Sequence, residues 1–338
     1  MHLLEFHNVA EMPAAPGGGE YLARCPQSLW DHTDSPVGPL TIRHSTGCEI
    51  RFVTDAPRGI RLWLRPAHGY ADMTYLMGNH VLSPLERLEE GRITCLQIDP
   101  LRLEPNRDPA VRRRGGFAPN VFRIYFHPMS VVFHGVDAMG GTLRPPHADE
   151  KPRLRWLAYG SSITQGGTFY NYVNAAAQML EVDALNLGMG GSCFIEKGIA
   201  DFIAGRDDWD FATFELGINM SNQQPGKNQV FADKVEYLLT EVTQRQPGKA
   251  VFLITIFDNG ALHELEPSGW QQDQREKNAI LRAAAARHPA TVHLIDGEAL
   301  VPDFRGFKPD LIHPDAFGAA RMGINLAEAL RRARPDMF

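Results

Sequence analysis

The order of apolar and polar residues changes period once along the chain. Through residue 148, short runs alternate with period two, as in Glu49-Ile50-Arg51-Phe52-Val53-Thr54, Gly59-Ile60-Arg61-Leu62-Trp63-Leu64, Ile93-Thr94-Cys95-Leu96-Gln97-Ile98 and Val121-Phe122-Arg123-Ile124-Tyr125-Phe126. Such alternation sets one side of each strand on a core and the other in water. Repeated between turn residues, it predicts an all-β, jelly-roll-like sandwich over residues 1–148, with no helix. The polar stretch Leu143-Arg144-Pro145-Pro146-His147-Ala148-Asp149-Glu150-Lys151-Pro152 then interrupts the pattern and places a domain boundary near residue 150.

Beyond it, nearly all-apolar runs at 154–159, 182–187, 211–216, 250–256 and 292–295 alternate with helical stretches at 231–245, 270–287 and 316–333. This order predicts an α/β domain over 149–338, a doubly wound parallel sheet of about five strands with helices on both faces. Ligands of such sheets sit beyond the carboxyl ends of the strands, so chemistry is to be sought in the loops that follow them.

Composition narrows the classes. Apolar residues make up 43% and charged residues 22%, ordinary globular usage, and the formal net charge of -6 argues against nucleic acid as a partner. The strongest basic run, Arg112-Arg113-Arg114, is expected to be a solvated loop. The four cysteines form no CxxC pair and are expected to be reduced and buried. No apolar run approaches membrane-spanning length, and the first residues lack the pattern of a secretory leader, so a cytoplasmic location without membrane contact is expected.

Four loops carry candidate chemistry. The first α/β strand runs into Gly160-Ser161-Ser162-Ile163-Thr164, where a serine at a helix N-terminus has the dipole and its own N–H to stabilise an oxyanion. The second leads to Asn186-Leu187-Gly188-Met189-Gly190-Gly191, the third to Glu215-Leu216-Gly217-Ile218-Asn219, and Asp310-Leu311-Ile312-His313 precedes the last helix. Taken singly, Ser162 reads rather as a helix cap, the glycines as turn residues, Asn219 as a cap or Asx turn and His313 as structural. Their joint order at successive strand ends favours catalysis. The first loop lacks the lysine of a phosphate loop, and Cys193 stands where a dinucleotide fingerprint needs its third glycine. No metal or cofactor is expected. His263-Glu264-Leu265-Glu266 reads as a solvated loop or helix start, and Phe194 and Trp270 as packing residues.

These segments resemble the consensus blocks of the SGNH (GDSL-like) hydrolase superfamily over residues 160–313. The resemblance implies a flavodoxin-like catalytic domain, Ser162 as nucleophile, His313 as base and Asp310 as its orienting acid, with Ser162, Gly191 and Asn219 forming the oxyanion hole. Two positions depart from the blocks: Ser161 replaces the aspartate of the GDS triplet and Met220 the aspartate after the third-block asparagine. The Gly-Ser-Ser-Ile-Thr variant is similar to a branch in which a β-sandwich precedes the catalytic domain, including carbohydrate acetyl esterases and acyltransferases of secondary metabolism. The implied activity is removal of a short acyl group, acetyl foremost, from a sugar or other hydroxylated small molecule. Acyl transfer at the same residues and a glycan-binding protein with an inactive hydrolase-like half are the alternatives, and homo-oligomerisation stays open.

Overall fold

The computed structural model describes residues 3–99, 116–266 and 268–338, so the Arg112–Arg114 run lies outside the described residues. In the N-terminal half, strands β1 (Glu5–His7), β2 (Glu20–Tyr21), β3 (Glu49–Thr54), β4 (Ile60–Pro66), β5 (Ala71–Met77), β6 (His80–Leu88), β7 (Thr94–Ile98), β8 (Phe122–Phe126), β9 (Val131–Asp137) and β10 (Leu143–Arg144) form two antiparallel sheets. One has the order β1-β3-β8-β5-β6 with β10 also on β3, and the other β2-β9-β4-β7. Period-two alternation supplies the core between them: Ile50, Phe52 and Ile124 from the first sheet meet Ile60, Leu62 and Leu64 from the second. A one-turn helix, α1 (Gly38–Thr41), is an addition to the all-strand expectation.

The polar side of the larger sheet is not in water. Glu49, Arg51 and Arg123 alternate with the core residues yet are buried, because this side rests on the second half of the molecule. There Arg51 grips Asp183 with two 2.7 Å hydrogen bonds and Glu49 with a third, while Glu49 also takes Arg123. Mutual pairing is what lets these charges leave solvent.

The C-terminal half holds five parallel strands, β11 (Arg155–Gly160), β12 (Asp183–Gly188), β13 (Phe211–Glu215), β14 (Ala250–Ile254) and β15 (Val292–Ile295), in the order β12-β11-β13-β14-β15. Helices α2 (Ser162–Gln165), α3 (Tyr172–Leu180), α4 (Lys197–Gly205), α5 (Ile218–Gln223), α6 (Asn228–Arg245), α7 (Gly269–Arg287) and α8 (Ala316–Ala333) connect and cover them. Helices α3 and α8 pack on one face through Tyr172, Ala176, Met322 and Leu326, and α4, α6 and α7 on the other through Ile203, Val235, Leu238 and Leu281. The chain reverses its winding between β11 and β13, so the loops after these two strands open the crevice where such folds place ligands. Ala23, Cys25, Trp30 and Ile42, from before the third strand, belong to the core under α4 and α6 rather than to the sandwich.

Among the described residues no helix is long and apolar enough to cross a membrane. Cys25, Cys48 and Cys193 are buried, whereas Cys95 is exposed because it lies on the outward side of the edge strand β7.

Candidate active site

The strand β11 ends at Gly160, and Ser161 caps α2 by accepting the Ile163 N–H at 3.2 Å. The cap is therefore Ser161, and Ser162 takes the first helical position, where backbone N–H groups have no partner inside the helix. Ser162 Oγ lies 2.7 Å from His313 Nε2, and His313 Nδ1 lies 2.7 Å from Asp310 Oδ2. A carboxylate can only accept from Nδ1, which fixes the proton there and leaves Nε2 as the acceptor for the serine hydroxyl.

The turn that carries this pair is specified locally. Asp310 Oδ1 accepts the N–H groups of Ile312 at 2.9 Å and His313 at 3.0 Å, and Leu311 between them is left-handed at φ 51°. The Gly260 N–H donates to Leu311 O, the Lys308 N–H to His313 O and the Asp315 N–H to Gly306 O, and Asp315 then caps α8. Partial burial pushes the Asp310 carboxyl up, but the N–H donors of His313 and Ile312 and the imidazole outweigh it and hold it at about 2. The aspartate thus stays ionised throughout the working range of a histidine base.

Gly191 sits in the loop after β12 at φ 67°, a conformation costly for any residue with a Cβ. The neighbouring Gly190 N–H is taken by Gln165 Oε1 at 2.9 Å, and Gln165 Nε2 donates to Thr46 Oγ1 and to His44 Nδ1, both at 3.1 Å. Burial, with Arg24 nearby, lowers His44 to about 4, so its ring is neutral and Nδ1 can accept. Asn219, on α5 after β13, uses Oδ1 to accept the Cys193 N–H at 3.1 Å, which leaves Nδ2 as the end of the amide available to donate. The loops bearing Ser162, Gly191 and Asn219 therefore converge at the crevice.

Glu215 was not singled out by sequence, although a lone carboxylate ending an apolar strand is a signal. It is fully buried and accepts the Ser161 N–H at 2.7 Å and the Thr164 hydroxyl at 3.0 Å, tying β13 to the nucleophile turn. Burial pushes its carboxyl up to about 7 against those two hydrogen bonds, and its Oε1 has no partner. Gln165 was likewise missed, as were Arg24, Ser35, Thr41 and His44, which reach this region from the irregular segment before β3.

Phe194 packs in the core. Trp270 does not: it is half-exposed and lines a cleft of about 640 Å³ with Pro225, Glu264 and Asp273. His263 ends a short turn and pairs with Asp258 at 2.7 Å. The described residues contain no group of three or more His, Cys, Asp or Glu side chains placed to hold a metal ion.

No curated protein sequence matches this chain. Among solved structures, the salicylyl-acyltransferase SsfX3 from a tetracycline biosynthetic pathway is similar over 99% of this chain and 96% of its own, with a TM-score of 0.73 and 18% identity. A carbohydrate esterase family 2 enzyme with a carbohydrate binding domain, from Corynascus thermopiles (Myceliophthora fergusii), is similar over 93% of this chain and 99% of its own, with a TM-score of 0.62 and 14% identity. The family two carbohydrate esterase from Clostridium thermocellum, solved with cellohexaose, covers 85% of this chain and 92% of its own, with a TM-score of 0.61 and 13% identity. These likenesses establish the shared fold, a β domain followed by the α/β domain. The sequence of residues 158–321 matches the GDSL-like Lipase/Acylhydrolase family, a span that holds Ser162, Gly191, Asn219, Asp310 and His313, so the α/β half of this chain is a GDSL-like lipase/acylhydrolase domain.

Proposed function

We propose that the protein is a serine-dependent carboxylic-ester hydrolase that removes a short acyl group, acetyl foremost, from a sugar or another hydroxylated small molecule. The observation that carries this reading is the continuous chain from Asp310 through His313 to Ser162, with both links at 2.7 Å. Serine attack needs a base already in contact with the hydroxyl and already in the right tautomer, and this chain meets both needs.

In the proposed reaction Ser162 Oγ attacks the ester carbonyl while its proton passes to His313 Nε2. Asp310 steadies the imidazolium without taking the proton. The oxyanion accepts from the N–H groups of Ser162 and Gly191 and from Asn219 Nδ2. Collapse breaks the bond to the alcohol, which leaves with the proton from His313. Water then attacks the acyl-serine with His313 again as base, releasing the acid and restoring Ser162.

Support for a short acyl group is the open setting: the His313 and Asp310 side chains are 36% and 44% exposed, unlike residues at the bottom of a tunnel for a long chain. The sugar half of the proposal follows the family two carbohydrate esterases that share the two-domain fold. The same openness supports a second reading, in which an acceptor hydroxyl replaces water and the enzyme transfers the acyl group. The preformed Ser162–His313 contact speaks against an inactive binding protein.

The test is hydrolysis of p-nitrophenyl acetate and longer esters by the wild type and Ser162→Ala at neutral pH. Hydrolysis abolished in the variant and falling with chain length is expected. Equal rates in the two proteins overturn the nucleophile assignment. Adding sugars as acceptors separates the two readings, since a transferase forms acylated sugar at the expense of free acid.

A further inference from the structure

The oxyanion loop is held from outside the α/β domain as well as from within it. Ser35 Oγ donates to the Gly191 carbonyl at 2.8 Å, and the same oxygen takes Gln223 Nε2 at 2.6 Å. The Thr41 hydroxyl lies 3.1 Å from the Gly190 carbonyl and 3.0 Å from the Val37 carbonyl of its own turn. Val37 closes the gap between them, its Cγ2 lying 3.0 Å from where a Cβ on Gly191 would stand. Beneath this contact Arg24, fully buried, donates from Nη1 to Gly188 O at 2.6 Å and from Nη2 to Thr41 O at 3.0 Å. One guanidinium thereby joins the base of the oxyanion loop to the turn that grips its tip.

The Gly190 carbonyl and the Gly191 N–H belong to one peptide unit. A glycine at φ 67° has little intrinsic preference for one orientation of its flanking peptides, so the aim of this N–H must come from what the carbonyls on either side are bonded to. A donor into the carbonyl also polarises the amide and strengthens its N–H as a donor. Oxyanion donors act through such preorganisation, and those that must reorient during the reaction lose most of their effect.

We infer that Ser35 and Thr41 are positioning residues for the Gly191 oxyanion donor, so that the segment before β3 is a working part of the catalytic site. This rests on the reading of Ser162 as nucleophile. Neither side chain touches the reacting atoms. They act through the two peptide groups that flank Gly191, and their loss is felt where the oxyanion develops, in kcat, rather than in ground-state binding.

The experiment compares Ser35→Ala, Thr41→Val and Thr41→Ser with the wild type and Ser162→Ala in p-nitrophenyl acetate hydrolysis, with inhibition by phenylboronic acid as a tetrahedral adduct and melting temperature recorded for each. Ser35→Ala and Thr41→Val are expected to lower kcat by about tenfold each with KM nearly unchanged, and to weaken boronate inhibition in step, as loss of a transition-state interaction requires. Thr41→Ser, which keeps the hydroxyl, is expected to retain the wild-type kcat. Unchanged kcat in both Ser35→Ala and Thr41→Val, alongside inactive Ser162→Ala, overturns this inference and leaves the proposed function standing. A kcat loss shared equally by Thr41→Val and Thr41→Ser, or one that follows the melting temperature, also overturns it. Wild-type activity that survives Ser162→Ala removes the proposed function itself. Where Ser35→Ala folds poorly, the Thr41 pair decides alone.

Discussion

Replacing Glu215 by glutamine tests the buried carboxylate behind the nucleophile. In the fold its carboxyl is pushed up to about 7 by burial, from an ordinary value of 4.5. A group whose folded value is raised favours the folded state most below the unfolded value, and that contribution is lost as the pH climbs through the folded one. For Glu215 the window runs from below pH 4.5 to just above 7. The full shift corresponds to roughly 3 kcal/mol, most of it between pH 5 and 8. Glutamine keeps an oxygen to accept from Ser161 N–H and the Thr164 hydroxyl but does not ionise. Urea unfolding of both proteins at pH 5, 6, 7 and 8 isolates the effect, because every other titrating group cancels in the difference. The stability of Glu215→Gln relative to wild type is expected to rise across this range by roughly 2 to 3 kcal/mol. A difference that stays flat with pH would mean that the carboxylate ionises in the fold as freely as in the unfolded chain, and would refute the account of its burial.

Three further outcomes follow from the same geometry. Asn219→Ala removes one oxyanion donor and should lower kcat with little change in KM, by about a hundred- to a thousand-fold on p-nitrophenyl acetate. Asp310→Asn, with an amide where the ionised carboxylate fixed the Nδ1 proton, should lower kcat on the order of ten-thousand-fold. Retention of a tenth of the activity would show that the backbone contacts of the turn orient His313 by themselves. Arg51→Met leaves Asp183 and Glu49 buried without their shared partner and should cost about 3 to 5 kcal/mol in urea unfolding. A loss below about 1 kcal/mol, the range of exposed ion pairs, would show that water reaches this interface.

The parts legible in the sequence were those whose cause is local. Hydrophobic period alone located β15 and α8, and Asp310 and His313 meet because a three-residue turn brings them together wherever it is placed. Ser162 stood out at the end of an apolar strand, but only together with the loops that follow the other strands. Where the reading failed, the cause was remote. Alternation in 49–54 gave β3 correctly, but polarity says nothing of what covers a side: Arg51 left water because Asp183 awaited it 132 residues on, and Glu49 because Arg51 and Arg123 pair with it. The oxyanion clamp was hidden more deeply. Ser35, Thr41 and Arg24 act on carbonyls 156, 149 and 164 residues away, and every residue carries a carbonyl, so the accepting side of such a bond leaves no mark in the sequence. The donating side is a segment with no sustained period, holding the one-turn helix α1. A domain boundary drawn from composition therefore separates Gly191 from three residues that hold its loop, and a catalytic fragment beginning near residue 150 would carry Asp310, His313 and Ser162 with the loop held only by its internal contacts to Gln165 and Gln223.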